Sequence, residues 1–506
     1  MILRNIDHFL NKITMYRLVL YCLILLWVLG FLLSFFGVMP FTPIDLTISC
    51  IVIFFSCLLI NAFFEKIFKV PSNTESTYIT ALILTLIAGP ERGADLWFLI
   101  LISALAIASK YILAINKKHI FNPAAFAMAF GAYILSYYAS WWIGDLHMIL
   151  PVAVTGFLIT RKLQKTDMVL SFLSVFTIFS LGKNVFNPQH VLLAMQNLFT
   201  YSPILFFSLV MLTEPITSPA TKKMRLTYGM LVAFLLAPFV HINSIYFSPE
   251  LALLAGNIFS YLVSSKQKLL LTFKEKIAIA DNTYDFVFHA DKKLNYQPGQ
   301  YMEWTLGHQK KDNRGMRRYF TIASSPTESN IRIGVKFYPQ SSSFKKNLRS
   351  LKKGDTVVAS QLAGNFTMPK SKDKKLVFLA GGIGVTPFRS MIKYLLDRGE
   401  KRNIILLYAN NNYLDIAYKE IFDQALQNLG IKTIYTLHNE VGIPADFIYE
   451  RGLVNRQILQ EEVPDFKERI FYISGPKTMI DSFKKVLKEM GVRPSHIKTD
   501  FFPGYA

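Results

Sequence analysis

The sequence contains very little cysteine, with three residues in a chain of 506. Cys22, Cys50 and Cys57 all lie within apolar runs, so they do not indicate a framework of disulfide bonds. An iron–sulfur cluster normally needs four cysteine thiolates, which is more than the chain has. We therefore expect no ferredoxin domain in this chain and no metal centre.

Acidic residues are also scarce, with 34 Asp and Glu against 55 Lys and Arg and a formal net charge of +21. Nucleic-acid-binding proteins often have this charge, but no basic patch here comes with a nucleic-acid-binding motif, so nucleic acid is not an expected partner. The cytoplasmic loops of a membrane protein and the binding sites of anionic cofactors explain the excess of positive charge better.

Long apolar runs are abundant in the first half, and they raise the mean hydropathy of the chain to +0.31. Residues 18–37 form a charge-free run that is long enough to span a lipid bilayer, and residues 46–64 form a second one. Eight shorter or interrupted runs follow, at 76–88, 95–113, 124–143, 148–160, 167–182, 198–212, 226–240 and 249–264. With the two long runs, they predict about ten helices in a polytopic membrane domain over residues 1–265.

Loop charges predict the orientation of these helices. If the N-terminus is cytoplasmic, nearly all Lys and Arg of the loops lie on the cytoplasmic side, and the outer loops hold only Arg92 and Lys183. An even number of spans also places the C-terminal half in the cytoplasm, where NAD(P)H is found. We expect a multi-pass protein of the inner (cytoplasmic) membrane.

Polar residues interrupt the apolar half at three places, where lipid would exclude a polar group without a role. These are the segment around Thr74-Glu75, KHIFNPAAF at 118–126 and LTEPITSP at 212–219. Pro215 and Pro219 must break a helix and free carbonyl groups that need partners or a cavity. The alternative for each segment is a loop at the membrane surface.

KHIFNPAAF and LTEPITSP resemble signatures of the NqrB/RnfD membrane subunits of sodium-pumping and ferredoxin-linked respiratory complexes. The resemblance implies about ten helices in two related halves, flavin bound within the membrane, and electron flow coupled to ion movement through partner subunits. Paired helices with matched polar breaks often build a binding site in such repeats. We take the following residues as candidates for a membrane cofactor or quinone site: Glu75, Asn122, Pro123, Thr213, Glu214 and Thr217.

This family usually attaches FMN covalently to a threonine in a Ser/Thr-Gly-Ala-Thr stretch, and residues 131–166 contain no such stretch. A second flavin in the membrane domain would therefore be held non-covalently. Haem is the alternative cofactor, because ferric reductases and NADPH oxidases also join a membrane domain to a flavoprotein. Four histidines of the membrane half lie at loops or helix ends, without the repeated spacing that axial ligands need: His119, His147, His190 and His241.

In the second half, alternating apolar residues such as Ile277, Ile279, Phe286 and Phe288 predict a small antiparallel β-barrel. Within it, RRYFTIASSP at 317–326 places an arginine, an aromatic ring and a hydroxyl on one strand. A guanidinium can pair with a pyrophosphate, and a ring and a hydroxyl can contact a flavin. Further along, GGIGVTP at 381–387 follows an apolar strand, which predicts a glycine turn that holds a pyrophosphate at the start of a helix.

Together with Pro298–Tyr301, Ser474-Gly475-Pro476 and the tail 500–505, these motifs resemble the ferredoxin–NADP reductase superfamily in order and spacing. The resemblance implies an FAD-binding β-barrel at 266–370 and an α/β NAD(P)-binding domain with a parallel sheet at 371–506. It also implies a catalytic role for Thr321 and Ser474 beside the following cofactor-binding residues: Tyr301, Arg318, Tyr319, Phe320, Thr321, Val335, Lys336, Ser343, Gly381, Gly382, Gly384, Thr386, Pro387, Ser474, Gly475, Pro476 and Phe502.

Three positions depart from the pattern of that family. Phe320 replaces the usual tyrosine, Ser474 replaces a cysteine, and residues 340–342 replace a glycine before Ser343. The loop 409–413 contains neither arginine nor lysine, which a 2′-phosphate would favour, so NADH is expected over NADPH.

The sequence thus predicts a membrane flavoprotein that passes electrons from NAD(P)H through FAD into the membrane domain. The final acceptor would be a quinone or an extracytoplasmic acceptor. The alternative is a reductase that serves a separate redox partner, with the membrane half acting as a transporter or docking subunit.

Overall fold

The computed structural model describes residues 6–7, 9–10, 13–68, 74–115, 118–182, 203–243, 245–264, 269–308, 316–440, 442–452 and 454–500. They form two compact units, one within residues 1–266 and the other within residues 267–502.

The first unit is helical, because its apolar runs are long and its described prolines lie in the first turn of a helix or outside the helices. Asn122 caps one helix by accepting a hydrogen bond from the Ala125 main-chain N–H at 3.0 Å, and Pro123 occupies the first turn. The helices are α1 (Met15–Phe35), α2 (Pro43–Phe68), α3 (Thr74–Ala88), α4 (Leu96–Ile112), α5 (Pro123–Leu135), α6 (Ile149–Leu163), α7 (Thr166–Leu181), α8 (Ile204–Phe206), α9 (Lys222–Leu235) and α10 (Pro249–Val263).

Two short antiparallel hairpins accompany these helices. The first hairpin precedes α5 and the second precedes α10. Their strands are β1 (Ala114–Ile115) with β2 (Lys118–His119), and β3 (His241–Ile242) with β4 (Ile245–Tyr246).

Four helices of the described residues are long and apolar enough to cross a membrane: Met15–Phe35, Pro43–Phe68, Gly93–Ile112 and Leu146–Leu163. Shorter apolar helices cover Thr74–Ala88, Pro123–Leu135, Thr166–Leu181 and Pro249–Val263. The unit therefore has several candidate spanning helices, while the count of about ten spans remains a prediction.

The polar stretch at 212–219 ends a helix, as its two prolines predict. α8 continues into one π-helical segment, Phe207–Met211, in which the Leu212 N–H donates to the Phe207 carbonyl at 2.8 Å. A π-helical segment of this kind often lies at a functional site. Residues 212–221 are then non-helical up to the start of α9.

The second unit begins with an antiparallel half-barrel of six strands in the order β8-β7-β10-β5-β6-β9. Phe286 and Phe288 face its core, as the alternation predicts. The strands are β5 (Leu269–Ala280), β6 (Thr283–Ala290), β7 (Tyr301–Thr305), β8 (Arg317–Thr321), β9 (Ile331–Lys336) and β10 (Thr356–Ala363), with the helix α11 (Ser343–Arg349) after β9.

A parallel sheet in the order β14-β13-β12-β11-β15-β16 completes this unit. All six residues of its central strand β11 are buried, as expected for a parallel strand covered on both faces. Its strands are β11 (Leu376–Gly381), β12 (Ile404–Asn410), β13 (Lys432–Leu437), β14 (Glu450–Arg451), β15 (Ile470–Ser474) and β16 (Ile497–Thr499). Its helices are α12 (Thr386–Arg398), α13 (Lys419–Leu429), α14 (Arg456–Glu462) and α15 (Lys477–Glu489).

Candidate functional site

Strand β8 places an arginine and an aromatic ring next to each other. Arg318 and Phe320 lie two residues apart and so face the same side of the sheet. Both contact Phe344 of α11: the Arg318 guanidinium carbon is 5.4 Å from the Phe344 ring centroid, and the Phe320 centroid is 5.9 Å from it. A cation beside two aromatic rings suits a dinucleotide with a pyrophosphate and a flat ring system, so these residues fit FAD.

The opposite face of β8 is organised by a buried carboxylate. Glu303 of β7 accepts a hydrogen bond from the Tyr319 hydroxyl at 3.0 Å and another from Arg317 at 3.3 Å. The Tyr301 and Tyr319 rings meet edge to face at 5.7 Å. Glu303 is a residue that the sequence analysis missed, although a charged residue within the apolar run 301–306 was a usable signal.

The glycine turn after β11 has the predicted form. Gly381 ends the strand, Gly382 to Val385 form one 3-10 turn, and α12 begins at Thr386 with Pro387 in its first turn. Gly382 has a φ of +51°, which favours glycine. The turn therefore brings main-chain N–H groups to a helix start, which is an arrangement that binds pyrophosphate.

Two loops approach each other closely at this turn. A Cβ atom on Gly384 would lie 2.6 Å from the Gly475 Cα and 2.7 Å from the Ser474 carbonyl oxygen. A Cβ on Gly381 would lie 2.3 Å from the Met479 sulfur. Because a Cβ on Gly384 would meet main-chain atoms, this position requires glycine, and the ends of β11 and β15 approach each other closely here. We call this arrangement the glycine cradle, and it fits a nicotinamide dinucleotide.

The two predicted catalytic residues meet at a third residue. The Ser474 hydroxyl donates to the Asp500 carboxylate at 3.3 Å, and the Thr321 hydroxyl is 3.5 Å from the same oxygen, Oδ2. Asp500 reaches this position because it follows β16, which pairs in parallel with β15. We call Thr321, Ser474 and Asp500 the hydroxyl–carboxylate cluster.

Asp500 was not among the predicted site residues, although it is the first residue of the recognised tail. The remaining predicted residues lie at varied places. The Val335 side chain packs in the barrel core, and the Lys336 ammonium pairs with Asp415 at 2.5 Å. The Ser343 hydroxyl lies 3.0 Å from His308 Nε2. Phe502 lies outside the described residues.

The barrel and the parallel sheet are joined by buried polar contacts. The Tyr418 hydroxyl donates to the Asp285 carboxylate at 2.5 Å, and a Cβ on Gly334 would collide with that hydroxyl. Burial raises the pKa of Asp285, against the lowering effect of the Tyr418 hydrogen bond and of the Arg389 and Arg332 charges. The two lobes of the second unit therefore share a low-dielectric boundary.

The first unit contains a cleft lined by several of the predicted membrane-site residues. It has about 700 Å³ of free space, part of it open to the surface, which is within the range of small-molecule sites. The cleft is lined by Met15, Tyr16, Val19, Ser76, Ile79, Thr80, Ile83, Asn122, Pro123, Ala124, Ile159, Leu163, Val210, Thr213, Glu214, Pro215 and Ile216.

Glu214 is the centre of the polar contacts at this cleft. Its Oε2 accepts hydrogen bonds from Asn122 at 2.9 Å and from Thr217 at 3.0 Å. The His119 Nε2 atom is 3.5 Å from its other oxygen. The sixth candidate, Glu75, forms an ion pair with Arg17 at 3.1 Å, next to cleft residues Tyr16 and Ser76.

Two family models match the second unit: the oxidoreductase FAD-binding domain over residues 269–368 and the oxidoreductase NAD-binding domain over residues 378–485. The flavohemoprotein of Halalkalibacterium halodurans is 26% identical over 219 residues, which are 41% of this chain and 52% of that protein. The flavohemoprotein of Candida albicans is 30% identical over 213 residues, which are 41% of this chain and 51% of that protein.

A third relative, the glycine betaine monooxygenase reductase subunit of Pseudomonas aeruginosa, is 24% identical over 232 residues, covering 45% of this chain and 63% of its own length. Among solved structures, the flavohem-like FAD/NAD-binding domain of nitric oxide dioxygenase from Vibrio cholerae has 22% identity and a TM-score of 0.42, covering 46% of this chain and 98% of that one.

The chain spans about half the length of the first curated relatives it matches. The two family models nevertheless confirm the predicted reductase module in the second unit, with its FAD-binding and NAD-binding parts in the predicted order. The module makes this chain an NAD(P)H-dependent, FAD-containing oxidoreductase.

Proposed function

We propose that the chain is a multi-pass membrane flavoprotein built on this NAD(P)H-dependent FAD module. Electrons would pass from NADH through FAD into the helical unit and on to a quinone. The observation that carries the reductase step is the hydroxyl–carboxylate cluster at the end of the glycine cradle. The membrane step is supported by the polar cleft of the first unit.

In the reductase step, the glycine turn and the start of α12 bind the pyrophosphate of the nicotinamide dinucleotide through main-chain N–H groups. Arg318 and Phe320 hold FAD through its pyrophosphate and its ring. When bound, FAD supplies the conversion of a hydride into single electrons. Ser474 and Thr321 orient the two rings, and Asp500 holds both hydroxyls in place by accepting their hydrogen bonds.

We further propose NADH as the preferred donor. The loops after β12 and β13 join through the Asn439 side chain, which donates to the Asn412 side chain at 2.9 Å. Glu440 follows and forms an ion pair with Arg451 at 3.0 Å. Because Arg451 neutralises Glu440, this pair favours neither cofactor, and the preference for NADH rests on the loop 409–413, which contains no arginine or lysine for a 2′-phosphate.

The membrane step is proposed for residues 1–265, with a cytoplasmic N-terminus. In the predicted topology, the start of α1, the starts of α3 and α5, the end of α6 and the end of the π-helical segment Phe207–Met211 all lie at the cytoplasmic face. Residues from these five helix ends line the one cleft described above, which supports this topology. The cleft would then open toward the cytoplasm.

We assign the cleft to a quinone or to a second, non-covalently held flavin, in line with the resemblance to the NqrB/RnfD subunits. Its walls are mostly apolar, and the carboxylate of Glu214 is held by Asn122 and Thr217. Such a lining suits a flat, largely apolar ring with a few polar edge atoms.

A second candidate function is that of a membrane-anchored reductase that serves a separate redox partner. It is favoured by the likeness to the reductase subunit of a monooxygenase. In that case the cleft would take no part in electron transfer.

The test uses the full-length protein in detergent, with flavin per chain determined after acid extraction. NADH oxidation is measured with ferricyanide, which takes electrons from FAD directly, and with a short-chain ubiquinone. We expect Glu214→Gln to keep the ferricyanide rate and to lose most of the quinone rate. Glu250→Gln is the control, because Glu250 is, like Glu214, hydrogen-bonded (to Trp141 at 2.7 Å) but does not line the cleft.

If both variants and the wild type reduce quinone at equal rates, the cleft takes no part in electron transfer. A wild-type protein that reduces ferricyanide but no quinone would favour the second candidate function.

A further inference from the structure

One arginine of the NAD-binding lobe is buried against the FAD-binding lobe. Arg389 lies in the first turn of α12, and 4% of its surface is exposed. Its guanidinium forms a two-pronged ion pair with Glu328, in which NH2 donates to Oε1 at 2.9 Å and NH1 donates to Oε2. Glu328 belongs to the loop between β8 and β9, in the barrel.

The same helix turn also binds the main chain that follows β8. Arg389 NH1 donates to the Ala323 carbonyl at 3.0 Å, and the Ser390 hydroxyl donates to the Ser324 carbonyl at 2.6 Å. Glu328 accepts the main-chain N–H of Ser325 at 2.6 Å. The segment 323–328 is therefore held to α12 by two side chains, one of them charged.

The held segment and Arg389 lie close in the chain to two predicted cofactor-binding residues, Thr321 and Thr386. Ala323 follows Thr321 by two residues, and Arg389 follows Thr386 by three residues, which is about one helical turn. These contacts therefore form a short link between the flavin strand and the start of the nicotinamide helix. A shift of α12 against β8 would change the separation of the two cofactor rings.

Stability alone does not explain a charged pair at this place. Removing two charges from water costs free energy that their attraction often does not recover, and well-packed apolar residues would stabilise the boundary at least as well. Unlike apolar residues, the ion pair fixes the orientation of α12 against the segment 323–328, because the planar guanidinium binds a carboxylate in one orientation.

We propose that Arg389 is a positioning residue for hydride transfer. With Glu328 and Ser390, it sets the approach of the nicotinamide to the flavin without touching either cofactor. The inference rests on the proposed reductase step but not on the proposed membrane step, so it is tested by FAD reduction alone.

The experiment is anaerobic stopped-flow reduction of FAD by NADH in the full-length protein, over a range of NADH concentrations. Arg389→Lys keeps the charge but loses the two-pronged geometry. Arg469→Lys is the matched control, because Arg469 is 5% exposed, pairs with Asp465 at 2.5 Å and donates to the Leu376 carbonyl at 3.2 Å, all within the NAD-binding lobe.

We expect Arg389→Lys to slow the limiting rate of FAD reduction by about 10- to 100-fold, because a misplacement on the order of 1 Å has that effect on a transfer step. The NADH concentration for half-maximal rate should change less than about twofold, since the binding groups remain. The kinetic isotope effect with NADH deuterated at C4 should rise. Arg469→Lys should leave the rate and the isotope effect unchanged.

If both variants slow FAD reduction equally, Arg389 has only a structural role and the proposal is overturned. A loss of apparent NADH affinity with an unchanged limiting rate would also overturn it. Glu328→Gln keeps a hydrogen-bonding partner for Arg389 and provides the same test if Arg389→Lys does not retain FAD. Its expected result is a smaller loss of the limiting rate in the same direction.

Discussion

The contact between the two glycine loops predicts that one methyl group added at Gly384 strongly slows the reduction of FAD by NADH. Changing Gly384 to Ala would place a Cβ 2.6 Å from the Gly475 Cα, 2.7 Å from the Gly475 nitrogen and 2.7 Å from the Ser474 carbonyl oxygen. All three are main-chain atoms, so no side chain can rotate away. Non-bonded carbon contacts are about 3.5–4.0 Å, so the loops must separate by roughly 1 Å.

This separation would move Ser474 away from the glycine turn. A displacement on the order of 1 Å at a reacting centre lowers a rate by about 100-fold, or roughly 2.7 kcal/mol in the activation free energy. We therefore expect Gly384→Ala to reduce its FAD with NADH about 100-fold more slowly than the wild type. FAD content should stay unchanged, because the barrel residues are untouched.

The assay is anaerobic FAD reduction followed by absorbance, with FAD content measured on the same sample. Gly399→Ala is the matched control, since Gly399 ends α12 with a φ of +60° and an added Cβ would meet open space. It should lose about 1 kcal/mol of stability through backbone strain and keep its rate. A wild-type rate in Gly384→Ala would refute the reasoning, because the cradle would then not hold the nicotinamide.

Two further predictions concern the hydroxyl–carboxylate cluster and the lobe boundary. Thr321→Val keeps the shape of the side chain but loses its hydrogen bond to Asp500. FAD reduction should therefore slow about tenfold, in line with roughly 1–1.5 kcal/mol for one hydrogen bond. An unchanged rate would contradict a role for this hydroxyl. Asp285 has a raised pKa in the folded state, so it holds a proton that the unfolded chain releases, and stability should fall as pH rises from about 4 through the folded pKa. Asp285→Asn should remove this loss of stability with rising pH. The measurement is the urea midpoint of FAD release between about pH 4 and 7. If the midpoint falls equally with pH in both proteins, Asp285 does not titrate in this range.

The motifs of the second unit could be identified from sequence because each depends on neighbouring residues. Gly382 adopts a positive φ, and Thr386 and Pro387 open a helix directly after the turn. The alternation of Phe286 and Phe288 places both rings in the barrel core. Backbone preference and side-chain period are local properties, so a single stretch of sequence is enough to predict them.

The role of Asp500 could not be predicted in this way. It meets Thr321 although 179 residues separate them, because β16 lies beside β15 and the barrel lies against the end of the sheet. The ion pair of Glu328 with Arg389 likewise joins residues 61 apart in two lobes. No local pattern in the chain indicates either contact.

In the first unit, sequence alone indicated apolar helices and the broken segment at 212–219, since hydrophobicity and proline act locally. Only the tertiary structure brought Asn122 to Glu214 and placed five helix ends around one cleft. The reason is that the packing of helices depends on how the apolar surfaces of the whole unit fit together. The sequence by itself therefore determined the main apolar helices, the barrel strands and the cofactor motifs, whereas the short hairpins of the first unit and the long-range neighbours of the functional side chains were decided by the packing of the folded chain.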